Sequence, residues 1–273
     1  MLLRSITKHV KDQNWFAVAL DFAIVVFGIL IAFQITNWNE ARAQRVSEHD
    51  FIERLHQDVI ELQGRRFQYD HDRPVLVNTQ TIISEFLNAE RDDVSAAEKL
   101  HIEEFPYVAK VEGFAASLVC NTIDWSHALT VPPAELPTAN ELISAGRVSD
   151  ISSNTLKRAL QTYLQQANRA EFYTQAISEN TVLLSAKFPE LFEIRHKKWA
   201  YNDVYGETFS HYLCDYNAMR SNDHFLNAYT LNAETFANYA NRSVKPVSEK
   251  LNLLHTALDQ ELSISHETVQ EAK

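Results

Sequence analysis

The sequence predicts an all-α protein, one N-terminal transmembrane helix followed by a helical, bundle-like soluble domain, and three observations carry that reading. Gly is scarce, 5 residues in 273, and Pro numbers 7, whereas strand-rich and dinucleotide-binding folds need Gly for tight turns and close backbone approach. One long apolar run lies near the N-terminus. Beyond it, apolar residues recur at helical spacing close to both ends of the remaining chain.

The apolar run occupies residues 15–33, WFAVALDFAIVVFGILIAF, with Asp21 its single charge. At 1.5 Å per residue it is about 28 Å long as a helix, close to the hydrocarbon thickness of a bilayer. Residues 22–33 offer no polar face to water, and Trp15 and Trp38 bracket the stretch as interfacial aromatics do. A cleaved signal peptide is the rival, with Arg4, Lys8 and Lys11 before the run and Ala41-Arg42-Ala43 after it. The run is longer than a signal peptide's apolar region, and ITNWNEAR is too polar to lead to a cut. The expected organisation is a cytoplasmic tail over 1–14, a transmembrane helix over 15–36 and a helical extracytoplasmic domain over 37–273. Basic residues balance across the span, three in the tail against Arg42, Arg45 and Arg54. The amine and the shorter tail tip the N-terminus toward the cytoplasm.

After the span, Ile52, Leu55, Val59 and Leu62 form a heptad stripe on a helix expected to run to Pro74. Further helices are expected over 75–87 and 94–104, with Pro106 ending the pattern. Residues 114–120 are compact and apolar, and Pro132, Pro133 and Pro137 make a stiff extended connection. Thr138 and Glu141 have the spacing of a capping box, and Gly146 stands where a helix end wants positive φ. Leu156, Leu160, Tyr163, Leu164 and Ala167 mark a long helix expected to reach Phe188, ahead of Pro189. Residues 190–222 carry no clear pattern. Val247, Leu251, Leu254 and Leu258 form a second heptad stripe, and its likeness to the first suggests that the two terminal helices pack together.

Asp21 opens the membrane segment, Gly28-Ile-Leu-Ile-Ala32 follows, and Gln34-Ile-Thr-Asn-Trp38-Asn39-Glu40 closes it. In these residues the chain resembles the opening of a family of bacterial membrane proteins of no assigned activity. A looser similarity covers 141–164, around Leu142, Ile143, Gly146 and Arg147. The resemblance implies a bacterial inner-membrane anchor, an interfacial motif at Trp38, Asn39 and Glu40, and a helical periplasmic domain. It offers no catalytic residue, and the family has Glu where this chain has Asp21.

The net charge of -11, from 36 acidic and 25 basic residues, excludes the phosphate-neutralising field of a nucleic-acid binder. No nucleophile elbow, Gly-rich phosphate loop or paired zinc-ligand motif is present, so no cofactor is expected. His211, Cys214 and Asp215, with His224 beyond, are three scattered ligand types. On a helix His211 and Cys214 would share a face. Asp70, His71 and Asp72 read as a solvated helix end. Phe172, Tyr173, Tyr201, Tyr205, Tyr212 and Tyr216 read as core aromatics before a ligand pocket.

The most informative residue is Asp21, because an ionisable group in a membrane helix is costly and by default faces a partner or water. Asp21, Val25, Gly28 and Ala32 fall on one helical face, where small residues let a second helix approach. That face is either an interface with a partner helix or another copy, or a set of ordinary membrane residues beside an acid that snorkels toward the headgroups. Cys120 and Cys214 are either one disulfide, as an oxidising compartment favours, or two buried thiols. Two functions follow: a membrane-anchored binding, sensing or scaffolding protein, and a membrane-anchored enzyme whose site is assembled from dispersed residues.

Overall fold

The computed structural model describes residues 15–88, 114–195 and 211–264. The expected tail over 1–14, the helix over 94–104, Pro106, Tyr201 and Tyr205 lie outside the described residues. The chain divides into two compact units, Met1–Glu53 and Arg54–Lys273.

Helix α1, Trp15–Asn88, dominates the first half of the sequence. It does not stop at Pro74, which lies inside it, so the two helices expected over 52–74 and 75–87 are one. Pro in a helix interior costs about 3 kcal/mol, through a lost hydrogen bond and a ring clash. Burial offsets that cost. Beyond Pro74, Ile83, Phe86 and Leu87 are buried, and Leu76 and Val77 pack against Phe236, Tyr239 and Val244.

Among the described residues beyond α1, the compact unit contains shorter helices: α2, Phe114–Asp124; α3, Pro137–Ser144; α4, Asn154–Ser178; α5, Leu184–Lys187; α6, Tyr216–Arg220; α7, Asp223–Tyr239; and α8, Lys245–Leu262. The long helix expected to reach Phe188 ends at Ser178, with α5 a separate turn before Pro189. Ser153 starts α4 by accepting the Leu156 N–H, and Gly146, at φ 67°, takes the left-handed conformation that L side chains resist. The capping box over Thr138 and Glu141 does not form. The Thr138 N–H goes instead to Asp58 Oδ2 at 2.7 Å, and Glu141 pairs with Arg54 at 2.8 Å, which holds the Glu141 carboxyl below its usual range. Tertiary partners on α1 outcompete the local cap.

Helical order is not complete. The patternless stretch contains an antiparallel pair, β1 (Phe192–Arg195) and β2 (His211–Cys214), with Phe192 facing Cys214 and Arg195 facing His211. A four-residue strand is too short for alternation to show in sequence. The mostly helical architecture stands, with this one ribbon added.

α1 and α8 run antiparallel. His56 meets Asp259, Gln63 meets Asn252 at 2.9 Å, and Arg66 meets Ser248, so seven steps along α1 match seven back along α8. The stripe residues Leu55, Val59 and Leu62 and their counterparts Val247, Leu251, Leu254 and Leu258 are buried. α4 packs against α8, and Thr174 Oγ1 reaches Ser243 Oγ at 3.0 Å in the turn before it. A second apolar cluster gathers Ile83 and Leu87 of α1, Val119 and Ile123 of α2, and Phe225 and Tyr229 of α7.

A disulfide joins Cys120 of α2 to Cys214 of β2, with their Cα atoms 5.6 Å apart across 94 residues of chain. It fastens the ribbon to the second cluster. Replacing both cysteines by Ala, or reducing the bridge, should lower the unfolding free energy by about 2–4 kcal/mol, the usual range for a long closed loop. Urea denaturation with and without reductant measures the loss. Alkylation of the non-reduced protein should leave both cysteines unmodified.

Candidate functional site

Three parts of the described chain concentrate polar or exposed apolar chemistry, and each arises from a helical register. The first is the apolar stretch of α1. From Phe22 to Ile35 no described side chain is buried, and Phe22, Phe27 and Phe33 are 71%, 64% and 63% exposed. Positions 21, 25, 28 and 32 fall on one face of this helix, and, its own helical backbone aside, no atom of the described residues lies within 4 Å of a Cβ placed at Gly28. A bulkier face, with Phe27, Ile31, Gln34 and Trp38, lies roughly 120° around the helix at 100° per residue. Trp38, Asn39 and Glu40 continue α1 and are exposed, with the Arg42 guanidinium 6.0 Å from the Trp38 ring centre.

The second part is a buried polar network. Arg66, 1% exposed, donates through Nη1 to the Pro133 carbonyl at 2.6 Å, and through Nη2 to Asp70 Oδ1, Ser248 Oγ and the Val244 carbonyl at 2.8, 2.7 and 3.1 Å. The Ser248 hydroxyl passes its own proton to Asp70 Oδ2 at 2.7 Å. Val244 ends a π-helical turn, Ala240–Val244, immediately before Pro246, whose missing N–H disturbs the regular helical pairing there. One turn along α1, the Tyr69 and Tyr239 hydroxyls meet, each 2.6 Å from the Thr130 carbonyl; with one proton apiece, one hydroxyl donates to that carbonyl and the other to its neighbour's oxygen. Arg73 lies over the Tyr69 ring at 4.2 Å. Burial pushes the Tyr69 phenol above its ordinary value, and the facing Tyr239 pushes it further; burial does the same to Tyr163 and Tyr229.

The third part is a cluster of two imidazoles and a carboxylate. His255 and Asp259 stand one turn apart on α8, and His56 comes from α1. Asp259 Oδ1 lies 3.0 Å from His56 Nε2 and 3.5 Å from His255 Nε2, and all three ligand atoms fall within 4.8 Å of one another. The side chains of His56, His255 and Asp259 are only 10–19% exposed.

The residue groups named from sequence are not brought together in the same way. Cys214 is consumed by the disulfide, and Asp215 caps α6 by accepting the Ala218 N–H, so neither is offered to a ligand. His211 and Cys214 lie on a strand, not on one helical face, and His224 is exposed on α7. Asp70, His71 and Asp72 lie in mid-helix, with Asp70 bound to Arg66. Phe172 is exposed, Tyr216 packs edge-on against Phe86, and Tyr173 faces Arg242, so the described aromatics line no common pocket.

Two features lay outside the sequence reading. Arg66, Tyr69 and Arg73 continue the stripe of Leu55, Val59 and Leu62 at spacings of four, three and four, which was the available signal. His255 and Asp259 have helical i,i+4 spacing, but nothing local points to His56, 203 residues before Asp259.

Comparison with family models, with curated proteins and with solved structures finds no match for the chain. The functional reading therefore rests on these residues and their geometry.

Removing the Arg66 side chain leaves Asp70, Ser248 and two carbonyls without their shared donor. Arg66→Ala should cost about 3–5 kcal/mol, and Arg66→Lys should recover only part of that, since an ammonium cannot fork to four acceptors. Denaturant midpoints measure both.

The buried tyrosines set an alkaline limit. Their folded pKa values exceed the unfolded value near 10, so the stability they contribute is intact below about pH 10 and lost as the pH rises beyond it. A pH series of thermal midpoints should decline there, and less steeply in Tyr69→Phe.

Proposed function

We propose that this chain is a single-pass protein of the bacterial inner membrane, N-terminus cytoplasmic and main domain periplasmic. It acts by binding and scaffolding partner membrane proteins rather than by catalysis. The observation that carries the reading is the apolar stretch of α1, where a continuous helix leaves its large apolar side chains unburied on every face. Water does not tolerate a continuous apolar surface of that length, and a bilayer matches it.

Two further features support the reading. The Cys120–Cys214 bridge suits an oxidising compartment, where disulfides persist. Two buried polar side chains, Asp124 and Asn232, serve backbone groups. Asp124 accepts the Ser185 N–H at 2.8 Å, and Asn232 clasps both the N–H and the carbonyl of Val182, so these groups hold loops in place. The resemblance at residues 21–40 points the same way. The alternative, an enzyme with a site built from dispersed residues, draws its support from the His56, His255 and Asp259 cluster.

Within the bilayer, the face at Asp21, Val25, Gly28 and Ala32 holds a second helix, from another copy or a partner. Among the described residues nothing crowds a Cβ at Gly28, so Gly28→Ile chiefly alters what another helix meets. Interhelical contacts of this kind are worth on the order of 1 kcal/mol, so Gly28→Ile and Asp21→Leu should each weaken association about fivefold. Crosslinking in native membranes, with recovered partners quantified, checks this. Unchanged association in both variants removes the interface.

A further inference from the structure

We propose that His56, His255 and Asp259 form a divalent transition-metal site, with Zn²⁺ the best-matched ion, clamping the start of the compact unit to its C-terminal helix. The argument begins with ligand type. Two imidazoles and one carboxylate are a mixed N/O set that suits Zn²⁺ and its first-row neighbours.

Spacing is the second step. Ligand atoms 2.0–2.2 Å from a tetrahedral ion lie roughly 3.3–3.6 Å apart. The two edges that meet at Asp259 Oδ1 measure 3.0 and 3.5 Å, and the third requires only a side-chain adjustment from within 4.8 Å. His255 and Asp259 need no special backbone, because one helical turn already aligns them.

Electrostatics is the third step. One carboxylate oxygen faces two Nε2 atoms, and both are drawn to it only when each carries a proton on that nitrogen. An ion takes the place of those protons: a singly protonated ring moves its proton from Nε2 to Nδ1, and a doubly protonated ring releases the Nε2 proton to solvent, so each ligand is a neutral imidazole protonated on Nδ1. Partial burial of all three side chains lowers the local dielectric and strengthens the binding.

The ring centres of His56 and His255 are 5.1 Å apart, so both rings already sit side by side at the α1–α8 seam. Occupancy would therefore fix the register of that seam at the end opposite to Arg66. The inference is independent of the membrane interface, since none of its residues lies in the apolar stretch.

The test uses full-length protein in mild detergent, stripped with chelator and titrated with Zn²⁺ alone. One ion per chain should bind and raise the thermal midpoint. Mutation of outer-shell partners typically costs 10–100-fold in metal affinity, so His255→Ala, which removes a ligand, should weaken binding by at least about a hundredfold. His224→Ala, at an exposed histidine elsewhere, should leave binding unchanged. Co²⁺ in the wild-type protein should give the intense visible absorption of a four-coordinate N/O site, a readout that needs no variant. Absence of a saturable Zn²⁺ site, or affinity unaltered by His255→Ala in folded protein, overturns the site and leaves the His56–Asp259 hydrogen bond with His255 beside it.

Discussion

A guanidinium taken out of water must find acceptors for its protons, and at Arg66 the two Nη groups find four, in the Pro-rich connection, on α1 itself and along the entry to α8. The acceptors are the carbonyl of Pro133 in the Pro-rich connection, the carboxylate of Asp70, the hydroxyl of Ser248 and the carbonyl of Val244. None of these can move far without leaving a buried charge under-satisfied, which costs several kcal/mol. The Val244 carbonyl sits where it does because the chain enters α8 through a π turn ahead of Pro246. Local backbone chemistry on one helix thus supplies the acceptor that the other helix needs, and the pair sets the antiparallel register along which Gln63–Asn252 and His56–Asp259 follow.

The same register explains how much was legible in the sequence. The apolar stripe of α8 and the start of the stripe on α1 could be read directly, because Leu and Val at helical spacing have no competing meaning in segments of that length. The continuation on α1 could not. At the next stripe positions stand Arg66, Tyr69 and Arg73, and then Pro74, so hydrophobic periodicity fades where the helix is in fact held by buried hydrogen bonds. Stripe spacing resumes at Leu76, Ile83 and Leu87, after the point where Pro normally marks an end. A polar stripe residue is visible only to a reading that follows position rather than hydrophobicity.

Other departures have the same origin in long-range partners. Thr138 and Glu141 have capping-box spacing, yet Asp58 and Arg54 on α1 take their bonds. The β1–β2 ribbon has too few residues to show alternation, and it is secured by the bridge to Cys120. The His56, His255 and Asp259 cluster exists only once α1 and α8 are aligned, since its members come from opposite ends of the domain. Cys120 and Cys214, by contrast, allow a single pairing, so the sequence could name the partners before any geometry was known.

The proposed function requires α1 to serve two environments, with its apolar stretch in a bilayer and its stripe in the core of a domain on the far side of the membrane. Membrane-impermeant maleimide labelling of intact spheroplasts tests this most directly, using Ser149→Cys at an exposed site before α4 and Ser5→Cys in the N-terminal tail. The account predicts that Ser149→Cys is labelled from outside and that Ser5→Cys reacts only after lysis. Labelling of Ser5→Cys in intact spheroplasts, with Ser149→Cys protected until lysis, would contradict it.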